Sequence, residues 1–221
     1  DGVVSLVSVD GNIELGEASA GEEVNLIAKG SVLDSNADAV NINSKQVSII
    51  AENGAIGSDT DAIELAGANT RLTASAVGDI GLTQTGGVLS LDKVSSSLGD
   101  VALIAKASML NDGSTDGVNV VGNTITLTSQ NGSIGERAKA IKINSAFSDQ
   151  GQLTASANGN VYIEEVDGSM DIANMAIGAS AGLVADGDML ADELTANSGD
   201  LSVKSNNGSV IVSNVNVSGN V

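Results

Sequence analysis

The sequence predicts an all-β protein, a right-handed parallel β-helix (β-solenoid) with three strands per coil and about eight coils. First, a short pattern of glycine (once alanine), any residue and an aliphatic residue recurs along the chain at a mean spacing of about 26 residues, which is typical of solenoids. Second, aliphatic residues alternate with polar ones between these marks, as they do in half-buried strands. Third, the 221 residues include one Phe, one Tyr and no Trp, which suits a narrow aliphatic tube. Parallel crossover connections favour the right-handed form.

The predicted elements follow in order along the chain. The pattern occurs at 2–4, 30–32, 54–56, 78–80, 107–109, 132–134, 159–161, 187–189 and 208–210. Strands are predicted in the first third at 4–6, 13–15, 24–26, 32–33, 40–42, 47–49, 56, 63–65 and 72–74. In the second third they are predicted at 80–82, 89–91, 101–103, 109–110, 118–120, 125–127, 134, 141–143 and 153–155. The last third gives 161–163, 170–172, 183–185, 201–203, 210–212 and 215–217, and the alternation is unclear from 189 to 194.

A longer repeat lies above the short one. Residues 24–29 return almost unchanged at 101–106, and residues 72–76 return at 153–157. We interpret this as duplication in units of three coils, so that residues 1–221 form one solenoid with super-repeats of about 1–77, 78–158 and 159–221. Asn-Gly and Asp-Gly pairs mark the corners. A meander of antiparallel hairpins would use the same pairs, but it does not predict the period. Both termini fall within the pattern, which predicts a segment of a longer chain.

The charge of the chain restricts its partners. There are 9 Lys and Arg residues against 28 Asp and Glu residues, for a formal charge of −19. This balance argues against nucleic acid and anionic membrane surfaces, which require basic patches. No apolar run approaches the length of a membrane helix, so no direct membrane insertion is expected. The absence of Cys leaves neither disulfides nor thiolate chemistry.

The acidic loops contain a candidate calcium site. Asp112, Ser114 and Asp116 place side-chain oxygens at alternate positions before a glycine, as an EF-type loop begins. The twelfth position is Asn123, where a complete loop has Glu, so an ordinary acidic turn is the alternative. Asp34, Asn36 and Asp38 form a weaker equivalent in the first super-repeat. No cofactor is required by the sequence, and calcium is the one that these loops could take.

No catalytic residues are predicted. The densest acidic group is Glu164, Glu165 and Asp167, and the two arginines, Arg71 and Arg137, do not lie beside an acidic cluster in the sequence. The chain has no His and no Cys nucleophile, and aromatic residues that could stack on sugars are nearly absent. We therefore expect a protein that is not an enzyme. The alternatives are a polysaccharide-acting or carbohydrate-binding β-helix and a calcium-dependent matrix protein.

Two phrases of the sequence carry a family resemblance. The "GSIG" phrase at 132–135 and the "NVYIEE-DG-M-I" phrase at 160–172 resemble the repeats of filamentous-haemagglutinin-like adhesins and related large bacterial exoproteins. The resemblance implies a right-handed parallel β-helix at the bacterial cell surface or outside the cell. The expected function is a non-catalytic structural or adhesive stalk or fibre segment that could assemble end to end. Its expected partners are neighbouring repeats, copies of itself, or a cell-surface receptor or glycan.

Overall fold

The computed structural model describes residues 2–113, 117–145 and 151–218, which form 23 strands and no helix. All pairings between these strands are parallel. The structure therefore confirms the predicted parallel β-solenoid and excludes the hairpin meander.

The strands lie in three sheets, and most coils contribute first to sheet 1 and then to sheet 2. Sheet 1 contains β1 (Val3–Ser8), β4 (Glu23–Ala28), β7 (Gln46–Ala51), β9 (Asn69–Ala76), β11 (Val88–Ser96), β13 (Met109–Asn111), β14 (Val120–Val121), β16 (Ile141–Asn144), β18 (Val161–Glu165), β20 (Ala181–Ala185) and β22 (Leu201–Ser205). Sheet 2 contains β3 (Ala18–Ser19), β6 (Ile42–Asn43), β8 (Ile63–Leu65), β10 (Ile80–Gln84), β12 (Val101–Ala105), β15 (Thr124–Ser129), β17 (Gln152–Ala157), β19 (Met170–Ile177), β21 (Met189–Ala196) and β23 (Val210–Val217). Sheet 3 pairs β2 (Ile13–Leu15) with β5 (Val32–Asp34).

One column of paired residues in sheet 1 counts the coils. It runs through Leu6, Leu26, Ile49, Ala74, Val94, Val120, Ile143, Glu165, Ala185 and Ser205. These ten residues span 199 positions in nine steps, so the mean coil is about 22 residues long. The structure thus has about ten coils, more than the predicted eight. The number of coils was underestimated because further copies of the glycine pattern, at 99–101, 168–170 and 199–201, were not counted when the mean spacing was calculated.

The core is a continuous stack of aliphatic side chains from both large sheets. In β4, Val24, Leu26 and Ala28 are fully buried, while the residues between them are partly exposed. The buried residues of sheets 1 and 2 belong to one hydrophobic cluster. The two sheets therefore face each other across a shared interior, and their outer surfaces point to different sides of the tube.

The corners explain the recurring glycine pattern. Its middle residue often carries a side-chain oxygen that accepts the backbone N–H of the equivalent residue in the next coil. Ser31 Oγ accepts from Ala55 N at 3.1 Å, and Ser133 Oγ accepts from Asn160 N at 3.0 Å. At the glycine itself the coils are very close, because a Cβ on Gly132 would lie 2.6 Å from a backbone nitrogen of the preceding coil. The pattern thus links each corner to the next by a hydrogen bond.

The longer repeat does not contain a whole number of coils. Residues 24–28 form β4 in sheet 1, whereas their copy at 101–105 forms β12 in sheet 2. Likewise, residues 72–76 belong to β9 in sheet 1, and their copy at 153–157 belongs to β17 in sheet 2. The duplicated unit is therefore three and a half coils long rather than three. Each duplication moves an equivalent residue to the other large sheet.

Candidate functional site

The duplication places two equivalent loops on different sides of the tube. Residues 53–67 align with 131–145 at a constant offset of 78 positions without a gap. The first copy leads into β8 of sheet 2, and the second leads into β16 of sheet 1. We call residues 57–64 the acidic loop and residues 135–142 the basic loop, because the aligned residues have opposite charges. The pairs are Asp59 with Arg137, Asp61 with Lys139 and Glu64 with Lys142.

The two loops share one backbone conformation. Each begins with a glycine in the left-handed region, with φ of 53° in the acidic loop and 68° in the basic loop. Each then makes a tight turn: Ser58 N donates to Asp61 O at 2.8 Å, and Glu136 N donates to Lys139 O at 3.0 Å. The turns project outward, and Asp59, Asp61, Arg137 and Lys139 are all exposed.

A buried asparagine anchors each loop to its neighbours. Asn41 Nδ2 donates to Leu15 O at 2.9 Å, and Asn41 Oδ1 accepts from Glu64 N at 2.8 Å. In the second copy, Asn119 Nδ2 donates to Leu91 O at 3.0 Å, and its Oδ1 accepts from the N–H of Lys142 at 3.0 Å. Both asparagines are fully buried, so the backbone beside each loop is fixed by the same polar contacts.

Beside the basic loop lies a groove of about 520 Å³. We call it the basic groove, because Arg137, Lys139 and Lys142 line one side, and these are three of the nine basic residues in the chain. The outer surface of sheet 1 forms the floor, where Gly182 and Ser202 are among the lining residues. Small side chains on the floor leave room for groups that approach the cations.

The chain's one tyrosine holds Arg137 at this groove. The guanidinium carbon of Arg137 lies 5.9 Å from the centre of the Tyr162 ring, within cation–π distance. Interaction with Tyr162 raises the pKa of Arg137, and an arginine side chain is charged at neutral pH in any case. Tyr162 pairs with Gly182 on the next strand, and a Cβ on Gly182 would lie 2.9 Å from the ring. The glycine thus provides the space in which the ring lies.

The equivalent groove on sheet 2 is acidic and smaller. It has a volume of about 190 Å³, and Asp59, Asp79 and Asp100 line it together with Ala102 and Thr126. Asp59 aligns with Arg137, so the same place in the fold carries opposite charges in the two copies. We call this the acidic groove.

Two carboxylates lie partly buried behind the acidic loop. Burial raises the pKa of Glu64 to about 7, and repulsion from Asp34 adds to this effect. Burial also acts on Asp34, but hydrogen bonds from Asn41 and Asn36 outweigh it and lower the pKa of Asp34. One oxygen of each carboxylate, Asp34 Oδ2 and Glu64 Oε2, is buried without a hydrogen-bond partner. Burial therefore disfavours the ionised form of Glu64, whereas hydrogen bonds favour the ionised form of Asp34.

Of the predicted calcium ligands Asp112, Ser114 and Asp116, only Asp112 lies within the described residues. Asp112 accepts a hydrogen bond from Arg71 Nε. Arg71 Nη2 also lies 2.7 Å from Asp92 Oδ2, so the fold places this arginine beside two carboxylates that are not its neighbours in the sequence. Asp92 and Asp112 lie 21 and 41 positions from Arg71 in the sequence, on the two coils that follow it.

The weaker predicted calcium site is an internal hydrogen-bond network. Asp34 Oδ1 accepts from Asn36 N at 2.9 Å, whereas Asp38 is exposed on the loop. Among the described residues, no group of three or more His, Cys, Asp or Glu is arranged to hold a metal ion.

The dense acidic group of the sequence does not converge in space. Glu165 is only 1% exposed and points into the tube, where its Oε2 accepts from Ser145 N at 2.9 Å and Ser145 Oγ at 2.7 Å. Glu164 points outward into the basic groove. Burial raises the pKa of Glu165 to about 6. The two carboxylates lie on opposite sides of one strand and do not form an acid–base pair.

Comparison with family models, curated proteins and solved structures finds no match to this chain. Within the described ranges there is no helix of the length and apolar character needed to cross a membrane. The pair of oppositely charged loops was not predicted from the sequence. The gap-free offset of 78 positions between 53–67 and 131–145 was the signal that could have revealed it.

Proposed function

We propose that this chain is a non-catalytic structural segment of a bacterial surface or extracellular protein, in which it acts as a stalk or fibre. The observation that supports this role is the uninterrupted column of parallel pairs through about ten coils. At about 4.8 Å per coil, the rod is ~48 Å long. Each coil is hydrogen-bonded to the next along the rod axis, so bending or stretching the rod requires breaking several backbone hydrogen bonds at once.

The charge of the rod surface opposes non-specific clustering of rods. The formal charge of −19 makes rods repel each other at long range. The end coils expose apolar side chains instead, including Val3 and Val9 at 62% and 76% and Ile211 and Val215 at 57% and 59%. Stacking of two copies end to end would bury these side chains.

Stretching single molecules in optical tweezers tests the mechanical role. A stalk segment held at both ends should stay folded at low tension and then extend in steps as coils are lost. A proline at Thr126, which removes one backbone donor from the middle of the ladder, should lower the force of the first step. Extension without steps at low force would contradict the proposal.

The enzymatic alternative is tested by a screen of acidic plant and bacterial polysaccharides. We expect no release of reducing or unsaturated sugar ends by the purified chain. Release that disappears in Glu164→Gln, while the variant keeps its melting temperature, would replace the structural role with a catalytic one.

A further inference from the structure

We infer that the basic groove of one rod receives the acidic loop of a second copy, so that rods associate side by side through opposite charges. The inference goes beyond the mechanical role, which does not require it. It rests on one feature of the fold: the same loop occurs twice, on different large sheets, with its charges reversed.

The two loops cannot meet within one molecule. The acidic loop leaves sheet 2 and the basic loop leaves sheet 1, and the two sheets face each other across a shared core. Along the rod the loops are three and a half coils apart, which is ~17 Å at about 4.8 Å per coil. A contact between them must therefore join two copies.

The contact is chemically complementary. The acidic loop contributes three carboxylates and no cation, and Asp59 and Asp61 are exposed on its turn. The basic groove presents Arg137, which Tyr162 orients, together with the exposed Lys139. A guanidinium can bind a carboxylate through two parallel hydrogen bonds. Gly182 and Ser202 on the groove floor leave room for the turn of the second copy, and Glu164 is the one carboxylate among the described residues that line the groove.

The same contact can repeat from rod to rod. It joins different surfaces on the two partners and is therefore heterologous, so a bound rod still presents a free acidic loop on one side and a free basic groove on the other. Rods would form an open lateral array, in which neighbouring parallel rods are shifted by ~17 Å along the axis at about 4.8 Å per coil.

The net charge limits the strength of the association and determines its salt dependence. Whole rods repel each other because each carries −19, whereas the paired groups attract only at contact. At about 0.15 M salt the screening length is ~8 Å, which weakens the repulsion more than the contact pairs. We expect association to be strongest near this concentration and weaker at both 0.01 M and 1 M salt.

The main test replaces the charged residues of each loop by the aligned residues of the other loop. Association of the variants is measured by sedimentation velocity in about 0.15 M NaCl. The groove variant carries Arg137→Asp, Lys139→Asp and Lys142→Glu, which are the residues of the acidic loop at the aligned positions. The loop variant carries Asp59→Arg, Asp61→Lys and Glu64→Lys. We expect the wild type to associate with rising concentration, and each variant to associate at least tenfold more weakly. A mixture of the two variants should associate again, because each supplies the charge that the other lacks.

A matched control separates the contact from net charge. Lys45→Asp, Lys93→Asp and Lys106→Asp change the total charge as much as the groove variant does, but these exposed lysines lie outside both grooves. Association of this control should weaken less than that of the groove variant. A wild type that stays monomeric, equal loss in groove variant and control, or a variant mixture without association would each overturn the inference. If rods instead stack end to end, the groove variant should associate as strongly as the wild type, and this result would also overturn the inference.

Cross-linking tests which surfaces touch. The chain has no cysteine, so any disulfide that forms must join the introduced thiols. Thr60→Cys on the acidic loop, mixed with Ser202→Cys in the basic groove, should give a disulfide-linked heterodimer under mild oxidation. In a mixture of Ala138→Cys with Ser202→Cys, both thiols lie at the basic groove. This mixture should give little disulfide-linked heterodimer. Equal yields from both mixtures would overturn the inference. So would tight binding of oligogalacturonate to the groove of a protein that stays monomeric.

Discussion

The acidic and basic loops differ in charge while their backbones are the same. Within 53–67 and 131–145, the inward and corner residues are conserved between the copies: Ile56 matches Ile134, and Ile63 matches Ile141, all fully buried. Of the residues that reverse charge, Asp59, Asp61, Arg137 and Lys139 are exposed to solvent, whereas Glu64 and Lys142 are partly buried. The comparison shows that the solenoid restricts which residues lie inside and at its corners, and that it leaves the outer surface free to carry opposite charges on its two sides.

The number of coils in the duplicated unit determines on which sheets the two charged loops lie. A unit of three coils would have placed both loops on the same sheet, one above the other. A unit of three and a half coils places them on different sheets, so one rod can present an acidic and a basic face. This is possible because sheets 1 and 2 offer equivalent environments to an alternating strand.

Truncation of the matched isoleucines should have the largest effect and tests whether the copies are equivalent in energy. Ile56 and Ile134 are both 0% exposed, and each is bridged to aliphatic neighbours in the coils above and below. We expect Ile56→Ala and Ile134→Ala each to reduce the free energy of unfolding by about 3 kcal/mol, since each leaves a cavity in a tightly packed column. Urea denaturation measures both. A difference greater than about 1 kcal/mol between them would contradict equivalent packing.

Removal of the anchoring asparagines should have the next largest effect. Asn41→Ala leaves the N–H of Glu64 without its side-chain acceptor, and Asn119→Ala does the same to the N–H of Lys142, so we expect each to cost about 2 kcal/mol. Hydrogen exchange should show faster opening at Glu64 N in the first variant and at Lys142 N in the second. Faster exchange throughout the chain, with no local effect, would argue that the asparagines do not anchor their loops.

These comparisons show how far the sequence allows prediction. Strands such as Ile13–Leu15 and Ile141–Asn144 were predicted because a residue's burial alternates with period two, which is a local property. The number of coils was underestimated because glycine corners occur on both sides of the tube and because loops lengthen some coils. Contacts between coils are not local. The salt bridge between Arg71 and Asp112 depends on how the strands of successive coils are aligned with one another. The burial of Glu165 beside Ser145 depends on the same alignment.

Neutralisation of Glu165 compares the interiors of the two copies directly. Its equivalent in the first copy is the buried Gln84, whose Nε2 donates to Gly67 O at 2.5 Å. Because burial raises the pKa of Glu165 to about 6, the folded state holds this proton more tightly than the unfolded state does. Stability due to this group should fall as the pH rises from about 4.5 to 6. We expect Glu165→Gln to raise the free energy of unfolding by ~1–2 kcal/mol at about pH 8 and to have little effect near pH 4.

The smallest effect is expected at Glu64, whose aligned residue in the second copy is Lys142. Its pKa of about 7 means that stability due to this carboxyl is complete below about pH 4.5 and is lost as the pH rises through 7. Since the carboxylate is partly open to solvent, we expect Glu64→Gln to add only ~1 kcal/mol at about pH 8. Thermal unfolding across this pH range measures the gain, and Glu17→Gln, on an exposed carboxylate elsewhere, is the control. A gain of equal size at pH 4 would mean that Glu64→Gln acts through packing. A gain confined to high pH would show that the acidic loop keeps its charge at a cost in stability, as expected of a surface that binds a cationic partner.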